Sequence, residues 1–477
     1  MFPNVALLEI FDFYLGTSSI HTWQTLVHVC QKWRNVIFNS PRRLNLRIYC
    51  KAGKPVKKTL DVWPPLPIKM YYDGIRNSVG DMELGGDMED IIAALKYNDR
   101  VREIQLSDTS NSEMEDILAA MQEPFPALKN LMLKPTNEGL PVFRVPCSFL
   151  GGSAPCLQTL SLEGIPVPFL GLRKVLLSAT DLNGLYLSNI PHSVYFSPGA
   201  IVSCLSSLTK LEIFELTFQS PRSRPDRESR RPPPSTCILL PALTRLTFQG
   251  VSEYLEDIVA QIFAPKLETL SITFFHQLMF DTPQLAQFIS RTPRLKGHDE
   301  ARVVFTERTV RVTYTLPSRI LIGESEGEIK LGISCKKADL QLLSIAQVCA
   351  LSYPQALIPT VKHLYILEGR YSSRPRWRNN IQTNQWLRLL RPFIAVRNLY
   401  LSEKIVPLIA PALRELVGGR VTEMLPVLQC LFLEELQASG LVWETISPFL
   451  SARRISTHPI DASHWDRDDD EWWDGED

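Results

Sequence analysis

The chain has 477 residues, 45% apolar, 21% charged and 9% aromatic; it is about three times a typical domain's length and neither disordered nor fibrous in composition. Lys plus Arg total 51 and Asp plus Glu total 51, so formal net charge is zero, whereas dedicated nucleic-acid binders usually carry a basic excess. No apolar run approaches the ~18–20 residues of a membrane-spanning helix.

The opening stretch predicts a small helical unit over residues 1–45. Pro3 suits a first helical turn, and Val5, Leu7, Leu8, Ile10, Phe11 and Leu15 follow at helical spacing. Trp23, Leu26, Val27, Val29, Cys30, Trp33, Val36 and Ile37 recur likewise until Ser40-Pro41 ends the run. A unit this short cannot bury its own apolar surface, so it packs on the following chain or on a partner. Residues 46–87 read as a linker and cap.

Residues 88–455 carry a repeat of the form apolar-x-x-apolar-x-apolar. It runs Val101-Ile104-Leu106, Leu128-Leu131-Leu133, Leu157-Leu160-Leu162, Leu182-Leu185-Leu187, Leu208-Leu211-Ile213, Leu243-Leu246-Phe248 and Leu267-Leu270-Ile272. Later copies are Val361-Leu364-Ile366 and Val396-Leu399-Leu401, with echoes at Leu413-Leu416 and Leu433-Leu436. The leading positions 101, 128, 157, 182 and 208 are 27, 29, 25 and 26 residues apart, within the leucine-rich-repeat range of ~20–29. Pro stands two residues before a leading position at Pro126, Pro155, Pro241, Pro265, Pro293, Pro359 and Pro411. There it blocks helix continuation and marks a helix-to-strand corner. Helical stretches are predicted over 90–95, 113–121, 256–263 and 284–289. The expected class is therefore α/β, an irregular solenoid whose leucines stack between units as core. Lys129, Asn130, Gln158, Thr159, Glu268 and Thr269, between those leucines, face the concave side.

Two segments break the pattern. Residues 219–236 hold five Pro, five Arg and four Ser with no aliphatic or aromatic side chain, a flexible insertion by composition. Residues 301–337 alternate instead, as in Val303-Phe305, Val310-Val312-Tyr314 and Ile329-Leu331-Ile333, and predict paired strands inserted into the array.

Residues 2–11, Phe-Pro-Asn-Val-Ala-Leu-Leu-Glu-Ile-Phe, and 29–34, Val-Cys-Gln-Lys-Trp-Arg, resemble an F-box. That family reads Leu-Pro-x-Glu-x-Leu-x-x-Ile-Phe and then Val-Cys-x-x-Trp; Val5 stands where an acidic residue is usual. Leu-Asp-Val-Trp-Pro-Pro-Leu-Pro at 60–67, Leu-Gly-Ile-Ser-Cys at 331–335 and Ser-His-Trp-Asp-Arg at 463–467 look like the fungal F-box family with divergent leucine-rich repeats. The resemblance implies a non-enzymatic substrate receptor of an SCF-type ubiquitin ligase, with no cofactor. Its F-box would bind a Skp-type adaptor, and through it a cullin, by Pro3, Leu7, Leu8, Ile10, Phe11, Val29, Cys30 and Trp33. Trp33 can equally hold the three helices together, whereas Pro3, Leu7 and Phe11 are the expected direct contacts. A client protein would lie on the repeats. A scaffold that does not promote degradation, and a nucleic-acid binder, are the competing readings.

Charged runs add candidates. Residues 31–58 hold nine Lys or Arg and no acid, a solvated face or an acidic partner's site. Arg370, Arg374, Arg376 and Arg378 beside Trp377 have the composition of a client-recognition hot spot, of a nucleic-acid stacking surface or of an ordinary inter-repeat loop. Residues 456–477 form an acidic tail with two aromatic anchors, Trp472 and Trp473; either basic run could receive it. Asp87-Glu89-Asp90 and Glu113-Glu115-Asp116 suit helix starts better than paired catalysis. Nine scattered Cys without a C-x-x-C pair suit reduced thiols in the cytoplasm or nucleus, with no metal site. Met1 to Leu15 carries Glu9 and Asp12 and no leading basic residue, unlike a secretory signal.

Overall fold

The computed structural model describes residues 3–17, 22–41, 47–51, 60, 65–73, 88–136, 146–224, 237–277, 279–315, 327–335, 337–352, 358–369, 377, 383–416, 420, 422–434 and 441–466. The protein is a mixed α/β chain built on mostly parallel sheet, and its backbone divides into two compact units, 1–194 and 195–477.

The first unit opens with three helices, α1 (Asn4–Thr17), α2 (Thr22–Val27) and α3 (Gln31–Phe38). Helices α1 and α2 both pack on α3. Their shared core is Leu7, Phe11, Trp23, Leu26, Val27, Val36 and Ile37. The Phe11 ring meets Trp33 edge-on at 4.9 Å, and Trp23 Nε1 donates to the Arg47 carbonyl at 3.1 Å. That bond ties the helices to the first strand. Parallel strands β1 (Ile48–Lys51), β2 (Ile68–Asp73), β3 (Val101–Thr109), β4 (Asn130–Pro135), β5 (Thr159–Glu163) and β6 (Gly184–Ile190) then pair in sequence order. Helices α4 (Met88–Leu95), α5 (Asn111–Ala120) and α6 (Phe169–Ser178) lie between strands in the chain. Acids sit at helix starts, as expected: Ser110 and Glu113 form a reciprocal capping box on α5.

Parallel sheets are normally covered on both faces and read as continuous apolar runs. These strands instead alternate, with burial such as iBiBi in β5, so one face meets helices and the other does not. The register explains the repeat. Ile104, Leu131, Leu160 and Leu185 stand side by side across four strands, and Leu106, Leu133, Leu162 and Leu187 form the next row; all eight are buried.

The second unit continues the same plan with β7 (Ile213–Phe218), β9 (Arg245–Gly250), β11 (Thr269–Phe275), β12 (Glu300–Phe305), β13 (Thr309–Thr315), β14 (Glu328–Ser334), β15 (His363–Glu368), β16 (Asn398–Leu401), β17 (Cys430–Glu434) and β18 (Asp461–Trp465). A second, two-stranded sheet pairs β8 (Ile238–Leu239) with β10 (Ile262–Phe263). Helices α7 (Pro198–Leu205), α8 (Ser252–Val259), α9 (Pro283–Arg291), α10 (Ala338–Ser352), α11 (Thr383–Leu390), α12 (Val406–Arg414) and α13 (Leu441–Ile455) pack successively in one row. The predicted insertion is present, but out of order: β11 pairs with β14, then come β13, β12 and β15. Among the described strands of this unit, only β13 runs antiparallel to its neighbours. Alternation has a period of two whatever the strand direction, so the apolar row Leu331–Val312–Val303–Ile366–Leu401–Leu433 passes through the insertion unbroken.

Four expectations are corrected. The copy at Leu208-Leu211-Ile213 is out of register by three: β7 begins at Ile213, and Phe214 and Leu216 pair with Leu246 and Phe248. The repeat there is Leu211-Phe214-Leu216; Leu208 packs in the turn before it. The helix expected over 256–263 stops at Val259, because 262–263 enter β10. Pro411 is inside α12 rather than at a corner, so Leu413-Leu416 is helix end and not strand. The true corner is Pro426, two residues before buried Leu428, and the repeat there is Leu428-Leu431-Leu433, so Leu433 closes a copy rather than opening one; Leu436 lies outside the described residues.

One device joins successive layers. Arg291 stacks on its own helix's Phe288 and donates Nη2 to the Val259 and Ile262 carbonyls at 2.6 and 2.5 Å. Arg453 does the same over Phe449, toward the Leu425 carbonyl at 2.6 Å, and Arg100 over Tyr97, toward Leu66. Each guanidinium satisfies carbonyls of the preceding layer that a bare corner leaves open.

His298 guards the insertion. It is fully buried, its Nε2 lies 2.5 Å from the Gly327 carbonyl, and its own carbonyl accepts from Thr360 Oγ1 at 2.6 Å. Burial holds the imidazole below its ordinary value of 6.5, against the opposing pull of Gly327, Asp299 and Glu328. The unfolded chain therefore binds more protons than the folded one as pH falls below 6.5, and folding weakens through that window. Urea midpoints at pH 7.5 and 5.5 should differ less in His298→Gln than in the wild type; an unchanged difference would remove His298 as its source.

Candidate functional site

Two surfaces emerge, one in each unit. The first is the outer flank of the N-terminal helices. In α1, Leu7 and Phe11 face inward one turn apart, while Val5, Ile10 and Phe13 are 66, 48 and 77% exposed; Val29, in the turn between α2 and α3, is 57% exposed. Tyr14 is exposed as well. An apolar helix face left outside marks a contact surface. Beside it a groove of about 560 Å³ runs between α1 and α3, lined by Asn4, Leu8, Gln31, Lys32, Asn35 and Val36 among others.

The expected adaptor residues separate accordingly. Pro3, Ile10, Val29 and Cys30 are exposed, and Leu8 and Trp33 are half-buried. Leu7 and Phe11 are core of their own chain, so the direct-contact role assigned to them is corrected: their side chains hold the three helices, as Trp33 does against Phe11. Val5, Phe13 and Tyr14 were missed. Their signal was present, since α1 is apolar on more than one face and two short neighbours cannot cover them all.

The second is the side of the second unit's sheet away from its helices, where Tyr365 is buried and its row neighbours Arg302, Tyr400 and Phe432 are half-buried. Arg302, Tyr365, Tyr400 and Phe432 occupy one row on β12, β15, β16 and β17. Tyr365 and Tyr400 stack at 4.1 Å and 10°, and Tyr400 and Phe432 at 4.5 Å and 7°. The Arg302 guanidinium lies 4.6 Å from the Tyr365 ring centre. Trp465, on β18, reaches back edge-on to Tyr365 and Tyr400 at 5.8 and 5.4 Å. Such a row needs parallel neighbours in register, with an aromatic at the same strand position each time. The repeat alignment holds that signal, one place after Leu364, Leu399 and Leu431.

Other candidates fare differently. Arg370, Arg374, Arg376 and Arg378 lie outside the described residues. Trp377 is described and is not an exposed anchor: it is half-buried, edge-on to Phe305 at 5.1 Å and tilted against Trp386 at 6.0 Å. In the basic run, Arg34 donates to the Val27 carbonyl at 3.1 Å and Arg47 lies 3.9 Å from Glu103; 42–46 and 52–58 lie outside the description. So do 225–236 and the tail residues 467–477. Lys129, Gln158, Thr159, Glu268 and Thr269 are half-buried between the leucine rows. Among the described residues no His, Cys, Asp and Glu group of three or more could hold a metal ion, and no helix is long and apolar enough to cross a membrane. Burial pushes the thiols of Cys50 and Cys349 up to about 12, which removes thiolate chemistry there.

No protein-family model matches the chain, and no curated protein matches it.

Proposed function

We propose that the protein is a substrate-receptor subunit of an SCF-type cullin–RING ubiquitin ligase. Helices α1–α3 are read as an F-box that holds a Skp-type adaptor, and the strand–helix layers after them as a divergent leucine-rich-repeat array that holds a client protein. The single observation that carries this reading is the apolar flank at Val5, Ile10, Phe13 and Val29 on helices too small to form a domain alone. The in-register leucine rows and the half-covered parallel sheet support the array. Its contribution to ubiquitin transfer is proximity: holding adaptor and client on one chain raises their effective concentration. The reading places the protein in the cytoplasm or nucleus.

The test is binding of the purified chain to a Skp-type adaptor. Ile10→Asp and Val29→Asp should each weaken it roughly 30-fold or more, as anchor residues do, without moving the unfolding midpoint. Unaltered binding by both variants would sink the assignment. Client half-life in cells lacking residues 1–45 then separates a degradation receptor from a scaffold.

A further inference from the structure

The last three layers of the second unit turn from helix to strand after α11, α12 and α13. Three aliphatic side chains stand outside at those corners: Ile394, Val427 and Ile455, 54, 46 and 85% exposed. The repeat does not ask for them. At the place of Val427, one before the leading apolar residue, earlier layers of this unit carry Lys210, Ala242, Lys266 and Thr360. The backbone makes the three corners neighbours. Gln429 N–H donates to the Arg397 carbonyl at 2.8 Å, which sets the Ile394 corner beside that of Val427. Arg453 Nη2 donates to the Leu425 carbonyl at 2.6 Å, which brings the end of α13, with Ile455, to the same place. Arg391, Arg397 and Arg454 are exposed on these corners, and none of them pairs with an acid among the described residues. We propose that this corner patch docks a short acidic segment bearing aliphatic side chains, carried by the client protein.

Exposed apolar side chains rimmed by charge mark an interaction site, and the charge here states the partner's sign. The neighbouring acids are mostly engaged: Glu423 pairs with Arg420 at 2.7 Å, Asp299 lies 3.9 Å from Lys362, and Glu415 accepts from Thr383 Oγ1 at 2.6 Å. Asp461 is the one such acid without a contact of that kind among the described residues. Three arginines are left for a partner's carboxylates, which would steer it and fix its register. Three corners at the usual strand spacing cover roughly 10 Å, the reach of about three extended residues, so the occupant is a short stretch rather than a folded surface. Such a chain can set its acids on the arginines and its aliphatic groups on Ile394, Val427 and Ile455. A bilayer cannot choose in this way. Its evenly negative surface would meet Glu415, Glu423 and Asp461 together with the cations. That the segment belongs to a client rests on the receptor function proposed for the chain; the seat itself does not.

The experiment titrates the full chain against a dye-labelled twelve-residue peptide that alternates Leu with Asp or Glu. Binding should weaken at least tenfold in Val427→Asp and in Ile455→Asp, and at least tenfold when Lys replaces the peptide's acids. Both side chains are exposed, so the variants should keep the wild-type urea midpoint. The double variant R391E/R397E gives a readout that lost folding does not imitate: it should prefer the Lys peptide to the acidic one, the reverse of the wild type. No binding of the acidic peptide at millimolar concentration, wild-type affinity in both aspartate variants, or an unchanged preference in the double variant would overturn the proposal. So would a chain that pellets with phosphatidylserine vesicles and ignores the peptide, which assigns the patch to lipid. Adaptor binding is measured on the same proteins and should not change with these substitutions. A wild-type chain that binds the peptide but not the adaptor upholds the seat and removes the receptor function.

Discussion

Phe11→Ala should unfold the N-terminal helices. The ring is fully buried and packs edge-on against Trp33 at 4.9 Å. Deleting a buried Phe costs about 3–5 kcal/mol, and a core of seven apolar side chains has little to spare. Amide exchange across α1 and α3 should rise by two orders of magnitude or more, while the strands of the second unit keep their protection. Adaptor binding would be lost with it, so that loss alone says nothing about contact. Ile10→Asp is the informative partner. Ile10 is 48% exposed, and surface changes of this kind usually move stability by no more than ~0.5 kcal/mol. Protected helices with failed binding are the outcome for Ile10→Asp, and exposed helices for Phe11→Ala. If instead Phe11→Ala keeps native exchange in α1 and still loses the adaptor, the burial argument fails.

Glu256→Ala should loosen α9. Glu256 belongs to α8, yet its carboxylate accepts the backbone N–H groups of Gln284 and Leu285 at 2.9 and 2.8 Å. Those are first-turn donors that helix geometry leaves without partners. Thr282, at the N-cap position, does not cap them with its side chain. The side chain of one layer thus caps the helix of the next, within a site 4% exposed. Charged acceptors on helix N-termini are strong, and leaving buried donors bare costs about 1–3 kcal/mol apiece. A loss of about 2–4 kcal/mol follows for the alanine variant. Glu256→Gln keeps one carbonyl acceptor and should lose about half as much. Exchange rates of the Gln284 and Leu285 amides read this directly, tenfold for each 1.4 kcal/mol. Equal rates in wild type and alanine variant would refute the cross-layer cap.

Much of the architecture is legible in the sequence because two signals coincide. Apolar residues at every second strand position and proline two residues before the leading apolar position locate β4, β5, β9, β11 and β15 directly. The errors arise where one signal appears alone. Leu208 is an apolar residue in a turn and mimics a leading position. Pro411 carries the right spacing to Leu413, yet it lies inside α12. The order of the inserted strands was not legible, because alternation reports which face is buried and not which neighbour pairs. On the surfaces, pattern matching named Leu7 and Phe11 through a family motif. A motif shared by core and contact residues does not distinguish them; burial does. The aromatic row escaped notice because its members are about 30 residues apart in the chain and become neighbours only through parallel register.

The reversed order of β12, β13 and β14 governs how the protein can be made. β11 ends at Phe275 and its partner strand starts at Glu328, so during synthesis the β11 edge waits for more than fifty further residues. Open strand edges invite pairing with other chains, and such long closures slow folding. Premature termination between those two points would release a fragment whose β11 edge is bare and apolar-backed, and it should form intermolecular sheet through β11, whereas a fragment ending after Ser334 covers that edge and leaves β12 open instead, waiting for β15. Ribosome-associated chaperones would meet this stretch at its most adhesive moment.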